Sequence, residues 1–159
     1  MEAQEHHAGH APKAAGNGWR TAVSATLHCL TGCAIGEILG MVIATALSLS
    51  NGASIVISIL LAFLFGYGLT VRPLLGAVGA RRAIRLAFAS DTVSITTMEI
   101  VDNLFIVAVP GALAAGLTDS LFWWSLIASL VIAFVVTVPV NRWLIARGKG
   151  HAVVHAYHH

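Results

Sequence analysis

The chain has 159 residues, of which 57% are hydrophobic and only 10% are charged, and its mean hydropathy is +0.83. A soluble domain carries about 25% charged residues, so this composition excludes an ordinary soluble core and predicts an integral membrane protein. The formal net charge of +2 comes without an extended basic patch, which argues against nucleic-acid binding.

Four apolar segments predict four transmembrane helices, because a bilayer needs about 20 residues for each span. The predicted all-α bundle occupies residues 19–147, and residues 74–82 are expected to form its middle loop. Residues 1–18 and 148–159 are expected to be polar tails, the first of them disordered. The predicted spans cover residues 21–47, 54–71, 83–109 and 120–145.

The basic residues predict the orientation of the chain in the membrane. All nine Lys and Arg residues fall in the two tails, the middle loop or the adjoining helix ends, which lie on one side of a four-span protein. The opposite connections, residues 48–53 and 110–119, carry none. The positive-inside rule therefore predicts a multi-pass membrane protein with both termini in the cytoplasm.

The first span carries a polar stripe that predicts a metal site. Cys29, Cys33, Glu37 and Met41 follow one another at intervals of four, and His28 adjoins the first. Such groups face protein or a water-filled pathway rather than lipid. Thiolate, imidazole and thioether ligands suit copper(I) or zinc(II). The competing interpretation is that the two cysteines are ordinary small apolar residues and that the histidine simply lies at the membrane boundary.

The third span carries three acids and an amide, at Asp91, Glu99, Asp102 and Asn103. Carboxyl groups embedded in a membrane are costly, and their default interpretation is functional. The competing interpretation is a structural clasp between helices. The candidate ion or proton pathway is Glu37, Asp91, Glu99, Asp102 and Asn103. The candidate metal ligands are His28, Cys29, Cys33, Glu37, Met41, Met98 and Glu99.

The two halves of the chain resemble each other. A shift of 62 residues places Glu37 on Glu99 and Cys29 on Asp91. This pattern predicts two similar two-helix hairpins related by a pseudo-twofold axis along the membrane normal. Equivalent residues of the first and third spans would then lie at equal depth.

Small residues predict close packing in the first hairpin. Gly32, Gly36 and Gly40 form two consecutive GxxxG steps, which favour close approach of a neighbouring helix. Gly66 and Gly68 of the second span are the expected partners.

Both tails are rich in histidine, which favours metal collection at the cytoplasmic mouth. An exposed set of histidines without a function is the alternative. The candidates are His6, His7, His10, His151, His155, His158 and His159.

Three segments resemble a bacterial family of small membrane proteins, domain-of-unknown-function family 4396. They read LHCLTGCAIGEILGMVI, ASDTVSITTMEIVDN and PVNRWLIARGKGHAVVHAYHH. The resemblance extends over nearly the whole chain beyond the first tail. It implies a bacterial inner-membrane protein and brings no activity and no site residues.

The leading functional hypothesis is transition-metal handling, by transport of copper or zinc through a path lined by Cys, His and Glu. A cytoplasmic metal donor and a homo-oligomer, embedded in the lipid bilayer, are the expected partners. A proton or cation channel or coupled transporter that uses the carboxylates is the alternative. A non-transporting assembly factor or complex subunit is the third hypothesis. Nucleotide-binding loops, HExxH and GxSxG motifs are absent, so an enzyme is not expected.

Overall fold

The computed structural model describes residues 14–147, with side chains from residue 18 onward, and contains no strand in that range. Three of its four long helices are long and apolar enough to cross a membrane, over Gly18–Ala46, Asn51–Val78 and Ser120–Ala146. The prediction of an all-helical membrane protein is confirmed. The helices are α1 (Ala14–Ala46), α2 (Asn51–Val78), α3 (Ala80–Ala108) and α4 (Ser120–Ala146), with a 3-10 turn at Ala112–Ala114.

The connection between α2 and α3 is much shorter than the predicted loop at residues 74–82. Helix α2 continues through Pro73 to Val78, and Gly79 alone separates it from α3. Proline in a membrane helix is tolerated where neighbouring groups satisfy the freed backbone carbonyl. Gly79 has a φ of 78°, which glycine adopts without a Cβ clash. The chain therefore reverses direction at a single residue, and the prediction of a loop was wrong.

The four helices pack in a ring in chain order. Helix α1 contacts α2 and α4, helix α3 contacts the same two, and α1 meets α3 across the diagonal. Because consecutive helices are antiparallel, α1 and α3 run in the same direction. Their polar faces can therefore meet inside the bundle at matching depths.

Helix α1 packs directly on the backbone of α2 through its glycines. A Cβ atom added at Gly36 would lie 2.5 Å from the Cα atom of Ala62, which leaves no room for a side chain. Gly66 is a partner as predicted, whereas Gly68 faces open space, because two residues turn a helix by about 200°. The close pairs are Gly32 with Gly66, Gly36 with Ala62, and Gly40 with Ser58.

Helix α3 turns its polar residues inward and its apolar residues outward. The buried side chains include Ser90, Asp91, Ser94, Glu99 and Asp102. This pattern is the reverse of that on a helix at the surface of a soluble protein. The exposed side chains include Ile84, Phe88, Val93, Ile100, Leu104 and Val107.

Asn141 of α4 joins three helices near the end of the bundle that carries the arginines. Its Nδ2 atom donates to Thr26 Oγ1 of α1 at 2.8 Å and to Ser94 Oγ of α3 at 3.0 Å. All three residues are buried. This clasp fixes α4 against the α1–α3 pair at one depth.

We expect Asn141→Ala to lower the free energy of unfolding by about 1 kcal/mol, the usual worth of interhelical hydrogen bonds in membranes. Thermal unfolding in detergent measures the change. Thr31→Val is the control, because the Thr31 hydroxyl is exposed and donates only to Leu27 O in its own helix. Equal stabilities of the two variants would contradict the role of the clasp.

Candidate functional site

Three carboxyl groups from two helices meet deep in the bundle. Glu37 of α1 lies beside Glu99 and Asp102 of α3. Glu99 is 5% exposed and Asp102 is 3% exposed. Residues three apart share one face of a helix, so α3 presents both Glu99 and Asp102 to α1. Glu37, Glu99 and Asp102 are called the acid cluster below.

Several oxygen atoms of the acid cluster lack a hydrogen-bond donor. Asn103 Nδ2 donates to the Glu99 backbone oxygen at 2.9 Å and, more weakly, towards Glu99 Oε2 at 3.4 Å. Ser129 lies beside Asp102, but its hydroxyl donates to Leu126 O at 2.8 Å. The oxygens left without a partner are Glu37 Oε1, Glu99 Oε1, and Oδ1 and Oδ2 of Asp102.

No arginine of the described helices lies near the acid cluster. Arg20 and Arg85 precede Glu37 and Glu99 in their helices by 17 and 14 residues, which separates them by about 25 Å and 21 Å along the axis. A buried carboxylate without a counter-charge is strongly destabilised. The cluster is therefore suited to bind protons or a cation.

A thiol and a thioether touch one turn away from the acids. Cys33 Sγ lies 4.0 Å from Met98 Sδ, and these residues are 2% and 1% exposed. Glu99 lies directly beside Cys33. Cys29 is fully buried one turn along α1, and both cysteines are free thiols. The structure thus brings Cys33, Met98 and Glu99 together from α1 and α3.

Two further residues of the predicted metal set, His28 and Met41, lie apart from the Cys33–Met98 contact. His28 is half-buried, and it adjoins Cys29 along a helix in which successive residues point about 100° apart. Met41 packs near Ala115, Phe122 and Leu126. Within residues 18–147, no group of three or more His, Cys, Asp or Glu side chains could hold a metal ion.

A cavity reaches the acid cluster from one end of the bundle. Its volume is about 230 Å³, and Glu37 and Met41 are among its lining residues. It lies between the α1–α2 turn and the 3-10 turn, at the end opposite to the arginines. Its other polar lining residues include Ser48, Asn51, Ser54, Ser58, Asn103 and Ser125.

Polar groups continue from the Cys33–Met98 contact, called the sulfur pair below, towards the end of the bundle that carries the arginines. Ser90 Oγ donates to Asp91 Oδ1 at 2.6 Å, and Thr70 lies beside the same carboxyl group. Cys29 lies near Asp91 and Ser94. We call the series from the cavity through the acid cluster and sulfur pair to Asp91 the polar column.

Helices α2 and α4 also contribute small and polar residues to this column, which the sequence did not lead us to expect. Each helix carries small or polar residues at every fourth position, and all of them are buried. That spacing in an otherwise apolar helix marks an inward stripe. The two stripes are Ser58, Ala62, Gly66 and Thr70 in α2, and Ser129, Ala133, Thr137 and Asn141 in α4.

The predicted metal-collecting tails lie outside the described residues. They include His6, His7, His10, His151, His155, His158 and His159.

These features define an α-helical membrane protein with buried carboxyl groups in its core. The chain belongs to the family described as Domain of unknown function (DUF4396), which it matches over residues 18–150. That match confirms the family resemblance carried by the three sequence segments. No curated protein and no solved structure matches the chain.

Proposed function

We propose that the protein transports a cation across the membrane along the polar column, with the acid cluster as its central binding site. One observation supports this most directly: Glu37, Glu99 and Asp102 converge with unsatisfied oxygens where a cavity reaches Glu37. Buried ionisable groups in a membrane mark ion or proton pathways. The cavity would supply water and cations to the first of them.

Protons are the first candidate cation. Glu37 lines the cavity and lies beside Asp102 and Glu99, so a proton taken from water at Glu37 could pass to either of these two acids of α3. Neutralising the cluster with protons also removes the cost of unpaired buried charge. Transfer through such a group needs no large movement of the helices.

We also propose that α3 is the fourth transmembrane span. It has 29 residues, long enough for a bilayer, and it fails a simple hydropathy test because of its acids and arginines. Its acids are buried and its outward face is apolar, which supports a position in lipid. With four spans, we propose a bacterial inner-membrane protein in which the positive-inside rule favours cytoplasmic termini and a cavity at the opposite face.

A duplicated hairpin is consistent with the packing, and we propose the pseudo-twofold axis on that basis. Gly40 of α1 meets Ser58 of α2, and Asp102 of α3 lies beside Ser129 of α4. Asp102 lies 62 residues after Gly40, and Ser129 lies 71 residues after Ser58. The second hairpin would thus place an acid where the first has a glycine.

Transition-metal handling is the second candidate function, and the Cys33–Met98 contact is the observation that favours it. Zinc prefers four ligands in a tetrahedral arrangement, whereas thiolate and thioether ligands select copper(I). Copper therefore fits this contact better than zinc. A homo-oligomer and a cytoplasmic metal donor remain part of this proposal. A non-transporting complex subunit would need neither the cavity nor the unsatisfied acids.

Proton flux into proteoliposomes tests the proposed function. We expect the wild-type protein to acidify the lumen, reported by a trapped pH-sensitive dye, when a potassium gradient with valinomycin sets the membrane potential. Glu37→Gln should lower the rate at least about tenfold, because the amide cannot bind and release a proton at this step.

Asp119→Asn is the matched control for that experiment. It makes the same exchange of acid for amide at an exposed residue between the 3-10 turn and α4, and Asn can still accept the hydrogen bond from Gly116 N. Flux that is equal in Glu37→Gln and the wild type would refute a proton pathway through the acid cluster.

A further inference from the structure

We propose that Cys33 and Met98 bind a soft monovalent metal ion, copper(I) or silver(I), inside the bundle. This inference rests on the proposed function, since it names a second cation that the polar column would carry. It assigns a sulfur site to a pair of residues that lie 65 positions apart in the chain.

The distance between the two sulfur atoms fits a bridging metal. Metal–thiolate bonds are about 2.3 Å long, so a metal that bridges sulfurs 4.0 Å apart would have an S–metal–S angle of about 120°. That angle is typical of three-coordinate sites and leaves room for a third ligand. Cys29, one turn or about 6 Å along α1 from Cys33, is placed to supply it.

The surroundings of the pair favour a soft ion over a hard one. Cys33 and Met98 are almost fully buried, and the apolar residues Ala62, Ile95 and Ala133 pack in the same cluster. Hard cations such as magnesium or calcium prefer all-oxygen shells. A monovalent ion bound to one thiolate forms a neutral unit, which an apolar surrounding accepts at low cost.

The step balances in charge and in protons. Metal binding breaks the S–H bond of Cys33 and forms a sulfur–metal bond, because the thiolate is the ligand. The proton is released to the solvent. A thiol and a monovalent cation become a neutral metal thiolate and one free proton, so the total charge stays at plus one.

Silver(I) binding to the purified full-length protein tests the site. We expect one tightly bound ion, with two or three sulfur neighbours in its first coordination shell in X-ray absorption spectra. Cys33→Ser should abolish that binding, and Met98→Leu should weaken it at least about tenfold. Met41→Leu is the matched control for the thioether, because Met41 lies at the cavity and not at the pair.

Proton release during the same titration tests the thiolate ligand. In weakly buffered detergent solution, wild-type protein should release close to one proton per silver ion, because the Cys33 thiol loses its proton on binding. Silver binding without proton release would overturn the thiolate ligand. Sulfur-coordinated silver of equal affinity in wild type and in Cys33→Ser or Met98→Leu would overturn the site itself.

These outcomes are independent of the proton flux. Glu37→Gln should keep silver binding while it lowers the proton flux measured in proteoliposomes. Failure of the metal proposal with intact flux would leave proton transport in place. Silver binding by a protein without flux would support the site and refute the transport of protons.

Discussion

Replacement of Asp102 by Asn is expected to abolish cation flux and, at the same time, to make the bundle more stable. Asp102 is buried, and neither of its oxygen atoms accepts a well-aligned hydrogen bond, although Ser129 and Glu37 lie beside it. Asn has the same shape and no charge, and its amide can donate to Glu37, which lies beside it. Removal of an unsatisfied buried acid should raise the free energy of unfolding by about 1–2 kcal/mol.

The expected loss of flux is at least about tenfold, because an amide cannot carry a proton between Glu37 and Glu99. Opposite changes in stability and activity are typical of functional residues that strain a fold. Flux into proteoliposomes and thermal unfolding in detergent are measured on the same preparation, with Asp119→Asn as the control. A variant that loses stability and keeps its flux would show that Asp102 is a structural clasp.

The second large effect is expected for Gly36→Leu, which should prevent α1 from packing on α2. A Cβ atom at this position would meet backbone atoms of Ala62 and Leu61, and backbone cannot move aside as a flexible side chain can. Overpacking of a well-packed interface costs about 1–3 kcal/mol or more, and a leucine adds three carbons beyond the first clash. We expect a loss of at least about 3 kcal/mol or no folded protein at all.

Gly68→Leu is the matched control, since it makes the same substitution in an adjoining helix where nothing lies within 4 Å of an added Cβ atom. That variant should unfold at a temperature close to that of the wild type. Fluorescence-detected size-exclusion chromatography after heating compares the two. Similar melting temperatures for both variants would contradict the close contact between α1 and α2.

The match between sequence and structure is best where the signal is local. Apolar length predicted the helical membrane protein, and the glycine spacing of Gly32, Gly36 and Gly40 predicted the close face of α1. The four-residue spacing of Cys29, Cys33 and Glu37 also predicted an inward stripe, since each of these residues faces the core or the acid cluster. These properties depend on helical periodicity alone.

The predicted end of the second helix was wrong, because a proline does not always end a helix. The second span was expected to end at residue 71, but α2 continues through Pro73 to Val78. A proline removes one hydrogen bond and clashes with one carbonyl, which a long helix in a bundle can absorb. Helix boundaries therefore depend on packing around the break, which a single sequence does not contain.

Sequence by itself determined that this protein is helical, that it belongs in a membrane, and that acids and thiols occupy its apolar helices. The tertiary structure decided which of them meet. It paired Cys33 with Met98 rather than with Met41, brought Glu37 to Asp102 and Glu99, and added Asn141 and Ser129 from α4. The physical reason is that helical spacing fixes only the direction in which a side chain points. The partner it meets depends on the order, tilt and depth of the neighbouring helices, and these follow from packing over the whole bundle.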